Sequence, residues 1–149
     1  MGDSVSIAHI ELEFPIAAAP ERVWDALVKE TGKWWPRDFY SDARAINMVC
    51  EPRLGGRLYE DWGDGRGRTW YTIQTFDPPR VLEMAGHLYP AYGGPSVTLV
   101  RIELQAEGEG TRLKLSDAVV GRADEGTKRS LEEGWRALVG VGLKENFEK

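Results

Sequence analysis

Hydrophobic and polar residues alternate through residues 5–16, where Ile10, Leu12, Phe14 and Ile16 interleave with His9, Glu11 and Glu13. A period of two marks a β-strand with one wet face, and it turns His9 toward solvent. Beyond Pro15, the run Ala19-Pro20-Glu21-Arg22 opens a helix, with proline in its first turn and an acid close behind, as the helix dipole favours. Val23, Trp24, Leu27 and Val28 give that helix its apolar stripe, and Gly32 stops it. The segment from Trp34-Trp35-Pro36 to Phe39-Tyr40 is too aromatic for an exposed loop; it reads as a short helical turn folded over an opening.

Alternation then returns. Residues 44–51 place Ile46, Met48 and Cys50 on one face, and residues 57–62 place Leu58, Glu60 and Trp62 opposite Arg57, Tyr59 and Asp61. Gly63-Asp64-Gly65-Arg66-Gly67 resembles a phosphate-cradling loop in composition, but it joins two strands and leads into no helix, so it is a hairpin with Asp64-Gly65 at the tip. Further strands span residues 68–76 and 80–88, the second with Leu82, Met84 and Leu88 opposite Val81, Glu83 and His87. A loop over residues 89–95 precedes a sixth strand carrying Thr98, Val100, Ile102 and Leu104 on one side. The turn Glu107-Gly108-Glu109-Gly110 leads to a seventh, in which Leu113, Leu115, Asp117 and Val119 share a face.

Residues 130–147 change period and read as one long helix. At about 100° per residue, Leu131, Trp135, Leu138, Gly142 and Asn146 fall on one line, flanked by Gly134, Val139 and Leu143. Glu133, Arg136, Lys144 and Glu148 lie opposite. Three glycines inside a helix each cost about 1 kcal/mol relative to alanine. Close approach to a neighbouring element explains that cost, and so does room: Gly142, beside Trp135 on the central line, would leave space between helix and sheet.

Strand, two short helices, six hairpin-connected strands and one long helix make an α+β protein, a curved antiparallel sheet of about seven strands wrapped on its C-terminal helix. A chain of 149 residues suits a single domain spanning 1–149. A curved sheet does not close fully on one helix, so a cavity between them is the natural ligand site. The 6 Trp are a surplus most easily explained if some line that cavity. A formal charge of −5, with no Lys or Arg run, argues against nucleic acid and anionic membrane. Cys50 is the only cysteine, which suits a reducing cytoplasm, and no signal-peptide or membrane-spanning pattern is present. With only His9 and His87, no zinc-type cluster is expected, and no cofactor is implied.

The ordered segments FPIAAAPERVWDAL, WWP, EPRLGGRLYE, TFDPPRVLEM, GTRLKLSDA and EEGWRAL resemble the START-like helix-grip superfamily (SRPBCC). Within it they resemble the domain similar to the C-terminal part of the activator of the 90-kilodalton heat-shock-protein ATPase (AHSA1-like). The resemblance spans residues 10–147. It implies that Met48, Cys50, Leu58, Glu60, Trp62, Thr98, Val100, Asp117, Trp135 and Leu138 point inward. It also implies a choice of roles, because the superfamily holds ligand binders, polyketide cyclases and oxygenase subunits. The separate N-terminal domain of the eukaryotic chaperone activators is not in this chain, and the His pair of an oxygenase metal centre has no counterpart.

The expected function is binding of a small apolar or aromatic molecule. The candidate lining is Trp35, Phe39, Tyr40, Met48, Trp62, Trp70, Met84, Trp135, Leu138 and Gly142. Glu60 and Asp117 are the candidate acid–base pair for a cyclase- or dehydratase-type alternative, since two carboxylates of unequal burial can divide those roles. The plainer reading pairs either one with Arg101, Arg112 or a backbone N–H. Cys50 reads as a small buried hydrophobe, and no Gly-x-Ser-x-Gly motif supplies a serine nucleophile. A third reading is an interaction module whose partner is a chaperone, another protein or a second copy. An apolar patch on the convex sheet face favours it.

Overall fold

Among the residues described by the computed structural model, 4–148, the alternating stretches form one seven-stranded antiparallel sheet. Its strands are β1 (Ser6–Ile16), β2 (Asn47–Cys50), β3 (Arg57–Gly63), β4 (Arg66–Asp77), β5 (Val81–Leu88), β6 (Ser96–Glu107) and β7 (Gly110–Gly121). The spatial order β1-β7-β6-β5-β4-β3-β2 makes β2 to β7 a meander, with β1 returning beside the last strand. Asp64 and Gly65 both take positive φ, 57° and 77°, as a two-residue turn of matching twist requires between β3 and β4.

Every second residue of β1, β6 and β7 is buried, so Ile10, Leu12, Phe14, Val100, Ile102, Leu104, Leu113 and Leu115 form the sheet's side of the core. Burying each such side chain stabilises the fold by roughly 1.5–3 kcal/mol. β2 is shorter than the alternation predicts. Asp42 to Ala45 forms a turn, closed by the Ala45 N–H donating to the Asp42 carbonyl at 3.1 Å, and Ile46 at its end is 67% exposed instead of sharing the inner face with Met48. The register slips between Leu58 and Tyr59 on β3, and again between Ile73 and Thr75 on β4. Such bulges bend the strands and sharpen their twist, which curves this half of the sheet.

Two short helices come after β1: α1 (Pro20–Lys29), which ends before Gly32, and α2 (Thr31–Trp34), which contains it. A 3-10 turn, Arg37–Phe39, comes next. Trp24 of α1 meets Phe76 of β4 edge-on, with centroids 5.4 Å apart.

The C-terminal helix runs as α3 (Glu125–Trp135), a π-helical segment (Arg136–Leu143) and α4 (Lys144–Asn146). It starts ahead of the apolar stripe because Asp124 and Thr127 cap each other. The Thr127 N–H donates to Asp124 Oδ1 at 2.9 Å, and the Asp124 N–H donates to the Thr127 hydroxyl at 3.1 Å.

The π segment re-aims the second half of the helix. Wider turns advance by roughly 85° per residue instead of about 100°, so positions flanking an α-helical line swing onto it. Val139 and Leu143 are accordingly fully buried, while Gly142 turns aside toward Trp34 and Pro36. The expectation that Gly142 leaves room beside Trp135 is therefore corrected. A Cβ on Gly142 would stand 3.0 Å from the Trp34 carbonyl oxygen and 3.2 Å from Pro36, so the glycine serves close packing of helix on loop.

Candidate functional site

Between the curved sheet and α3 lies a cavity of about 200 Å³. Its roof is Trp35 and Phe39, its sheet wall Trp70, Tyr71, Leu88, Thr98 and Asp117, and its helix wall Ser130, Leu131, Gly134, Trp135 and Leu138. The aromatic segment after α2 thus does cover an opening. Its shape is held by the Trp35 indole N–H, which donates to the Phe39 carbonyl at 3.2 Å.

Trp70 and Tyr71 are consecutive on β4, yet both face the cavity. Leu58 pairs with Tyr71 and Tyr59 with Thr69, so Trp70 is the extra residue of the bulge and escapes the alternation that would send it to the other face. Gly134 supplies the room expected of Gly142: a Cβ there would meet only the Phe39 ring, at 4.0 Å.

Asp117 is 1% exposed and is the carboxylate on the cavity wall. The Thr98 hydroxyl donates to its Oδ1 at 2.5 Å and the Trp135 indole N–H to its Oδ2 at 2.9 Å. Burial pushes the Asp117 carboxyl above its ordinary range, against these two bonds and a weaker pull from His9, which lower it. Burial and the nearby Asp117 charge also raise the Tyr71 phenol, which interacts with the Thr98 hydroxyl and is uncharged at neutral pH.

Glu60 lies apart from this wall. Fully buried, it accepts from the Trp62 indole at 3.1 Å, the Trp70 indole at 2.7 Å and the Ser41 backbone N–H at 2.8 Å. Three donors make it a strut that ties the loop before β2 to β3 and β4, so the two candidate carboxylates do not face one space. Four other lining candidates are also elsewhere. Met48, 1% exposed, pairs with Glu60 across β2 and β3 and is core. Trp62 bonds Glu60 beneath the Arg44 guanidinium, 4.8 Å from its ring. Tyr40 stacks under Arg37 at 4.7 Å. Met84 borders a separate void of about 20 Å³, which shares Trp35 and Trp135 with the cavity, so that those two indoles form the partition.

Trp35, Phe39, Trp70, Trp135, Leu138 and Asp117 are the expected residues that the fold brings together, and Tyr71, Leu88, Ser130, Leu131 and Gly134 join them. Arg68 stacks between the Trp70 and Tyr92 rings, 4.5 and 3.6 Å from their centroids, outside the cavity wall. Cys50 is half-buried, and burial with the Glu51 charge pushes its thiol up to about 11, the opposite of an activated nucleophile. Among the described residues no three His, Cys, Asp or Glu side chains gather as a metal site, and no helix is long and apolar enough to cross a membrane.

Residues 17–148 match the family model described as Activator of Hsp90 ATPase homolog 1-like protein (AHSA1). The chain belongs to this family. No curated protein matches the sequence. Among solved structures, the AHSA1-family chain is similar to a protein from Rhizobium leguminosarum at 20% identity, covering 97% of each chain with a TM-score of 0.71. It is similar to a protein from Rhizobium loti at 22% identity, covering 93% of this chain and 96% of that one with a TM-score of 0.68. It is also similar to CalU16 from Micromonospora echinospora at 19% identity, covering 95% and 81%, with a TM-score of 0.64. At these identities the likeness is one of fold alone.

Proposed function

We propose that this AHSA1-family protein binds a small apolar or aromatic molecule between the sheet and its C-terminal helix. The observation that carries the reading is the cavity itself, about 200 Å³ walled by five aromatic rings, those of Trp35, Phe39, Trp70, Tyr71 and Trp135. Size supports a small ligand. Sites for drug-sized molecules run from about 300 to 1,000 Å³, whereas a dry cavity of about 150 Å³ admits benzene, so one ring with a short substituent fits and a lipid does not.

Quenching of tryptophan fluorescence by phenethyl alcohol tests this reading, with Gly134→Leu as control because the added side chain fills the space. Saturable quenching that disappears in the variant supports it. Quenching that persists in the variant, or none in the wild type, contradicts it.

A protein-interaction role has its own supporting observation. Ile7, Val120 and Val97 stand side by side in register on the outer sheet face, with Ile7 70% and Val97 36% exposed, and Leu99 close by at 49%. An exposed apolar stripe of this kind suits contact with another protein surface. Stimulation of a chaperone ATPase by the wild type, lost on Ile7→Lys with Leu99→Lys, is the result this second reading expects.

A further inference from the structure

Resting on the cavity reading above, we infer that the ligand is cationic: a small aromatic or aliphatic amine whose ammonium group meets Asp117. Three features of the wall point the same way. Among the described residues, the cavity lining contains no Lys, Arg or His, and Asp117 is its one charged residue. The nearest stacked cation, Arg68, lies over Trp70 and is not part of the wall. The rest of the wall includes the rings of Trp35, Phe39, Tyr71 and Trp135, and aromatic rings attract a cation over their faces and do nothing comparable for a carboxylate.

The carboxylate itself is incompletely served. Each of its oxygens accepts one bond, from Thr98 and from Trp135, both donors are neutral and His9 adds only a weaker pull, so the burial of this 1% exposed carboxyl is only partly offset. A carboxylate can accept about four hydrogen bonds, and a buried one is stabilised most by a counter-charge. An ammonium supplies both: further donors to Asp117, and a counter-charge in a wall otherwise lined by aromatic and neutral side chains. An anionic ligand would meet the Asp117 charge at short range with no cation in the wall to compensate. A neutral alcohol would gain one hydrogen bond without the charge assistance.

Calorimetric titration with three probes of one shape tests the inference: phenethylamine, phenethyl alcohol and phenylacetate, at about pH 7, where the amine is protonated as a lysine would be. Charge-assisted bonds of this kind predict that the amine binds about tenfold or more tighter than the alcohol, with phenylacetate weakest. Asp117→Asn should bring amine and alcohol to within a few-fold of each other, and Gly134→Leu should abolish uptake of all three. If Asp117→Asn does not fold, the wild-type series with Gly134→Leu decides alone. Alcohol binding as tightly as the amine overturns the inference and leaves the apolar-ligand reading standing. An amine preference that survives Gly134→Leu also overturns it, because the cation is then held on the acidic surface. Absence of binding by every probe defeats both readings together.

Discussion

The Trp135 indole N–H donates to Asp117 Oδ2 at 2.9 Å, joining the C-terminal helix to β7 at the wall of the cavity. One bond thereby sets both the depth at which the helix rides on the sheet and the orientation of the buried carboxylate. Trp135→Phe keeps most of the ring and removes the donor. The variant should lose about 1–3 kcal/mol, the cost of leaving a buried acceptor unmet, read as a lower urea midpoint with an unchanged slope.

Asp117 also makes a signed prediction for pH. Its folded pKa is raised by burial, so between the unfolded carboxylate range and that raised value the native state holds more protons than the unfolded state. Stability from this group is therefore present at acid pH and declines as pH rises through that window. Asp42 and Glu51, held near about 2 by Arg44 and Arg57, work in the opposite sense, losing stability as pH falls toward those values. Subtracting Asp117→Asn from wild type isolates the Asp117 contribution, with His9 and Tyr71 as its titratable neighbours present in both proteins. The wild type's stability relative to the variant should fall as pH rises from the carboxylate range toward neutrality. A difference that grows instead contradicts the assignment.

The two helix glycines should part company. Gly134→Leu adds a good helix former where a Cβ meets only Phe39 at 4.0 Å, so thermal stability should hold or rise while ligand uptake ends. Gly142→Leu meets the Trp34 carbonyl at 3.0 Å and Pro36 at 3.2 Å, so it should cost about 1–3 kcal/mol by overpacking. Thermal melts of the two variants, side by side, check this.

Glu60→Gln should act on stability and spare the cavity. Glutamine has a single accepting carbonyl oxygen, and its amide NH2 only donates, so of the three donors, from Ser41, Trp62 and Trp70, at least one is left unmet, at about 1–3 kcal/mol. Probe affinity measured without denaturant should change little, since Glu60 does not line the cavity.

These contrasts show how far the sequence could be read. The period-two runs of β1, β6 and β7 placed Asp117 on the same face as Leu113 and Leu115, and Trp135 on the inner line of the helix, because uniform strands and an α-helical first half obey simple periods. Tyr71 was hidden because a bulge lets it share a face with Trp70, and no alternation rule locates a bulge. Gly142 leaves the inner line because the π segment begins after Trp135 and rotates the remainder of the helix, while Gly134, ahead of it, supplies the room instead. Glu60 shared a strand face with Leu58 as expected. It is held away from Asp117 by the indole N–H groups of Trp62, two residues along the same strand, and of Trp70, across the hairpin.

The central claim, that a small ligand enters between sheet and helix, is tested most directly by proton–nitrogen correlation spectra of the 6 tryptophan indoles during titration with phenethyl alcohol. Each indole N–H gives one signal, and the cavity divides them. The indoles of Trp35, Trp70 and Trp135, which wall it, should shift together and saturate, while those of Trp24, Trp34 and Trp62 hold still. Shifts confined to Trp24, Trp34 or Trp62, or no saturable shift at Trp135, would contradict the account.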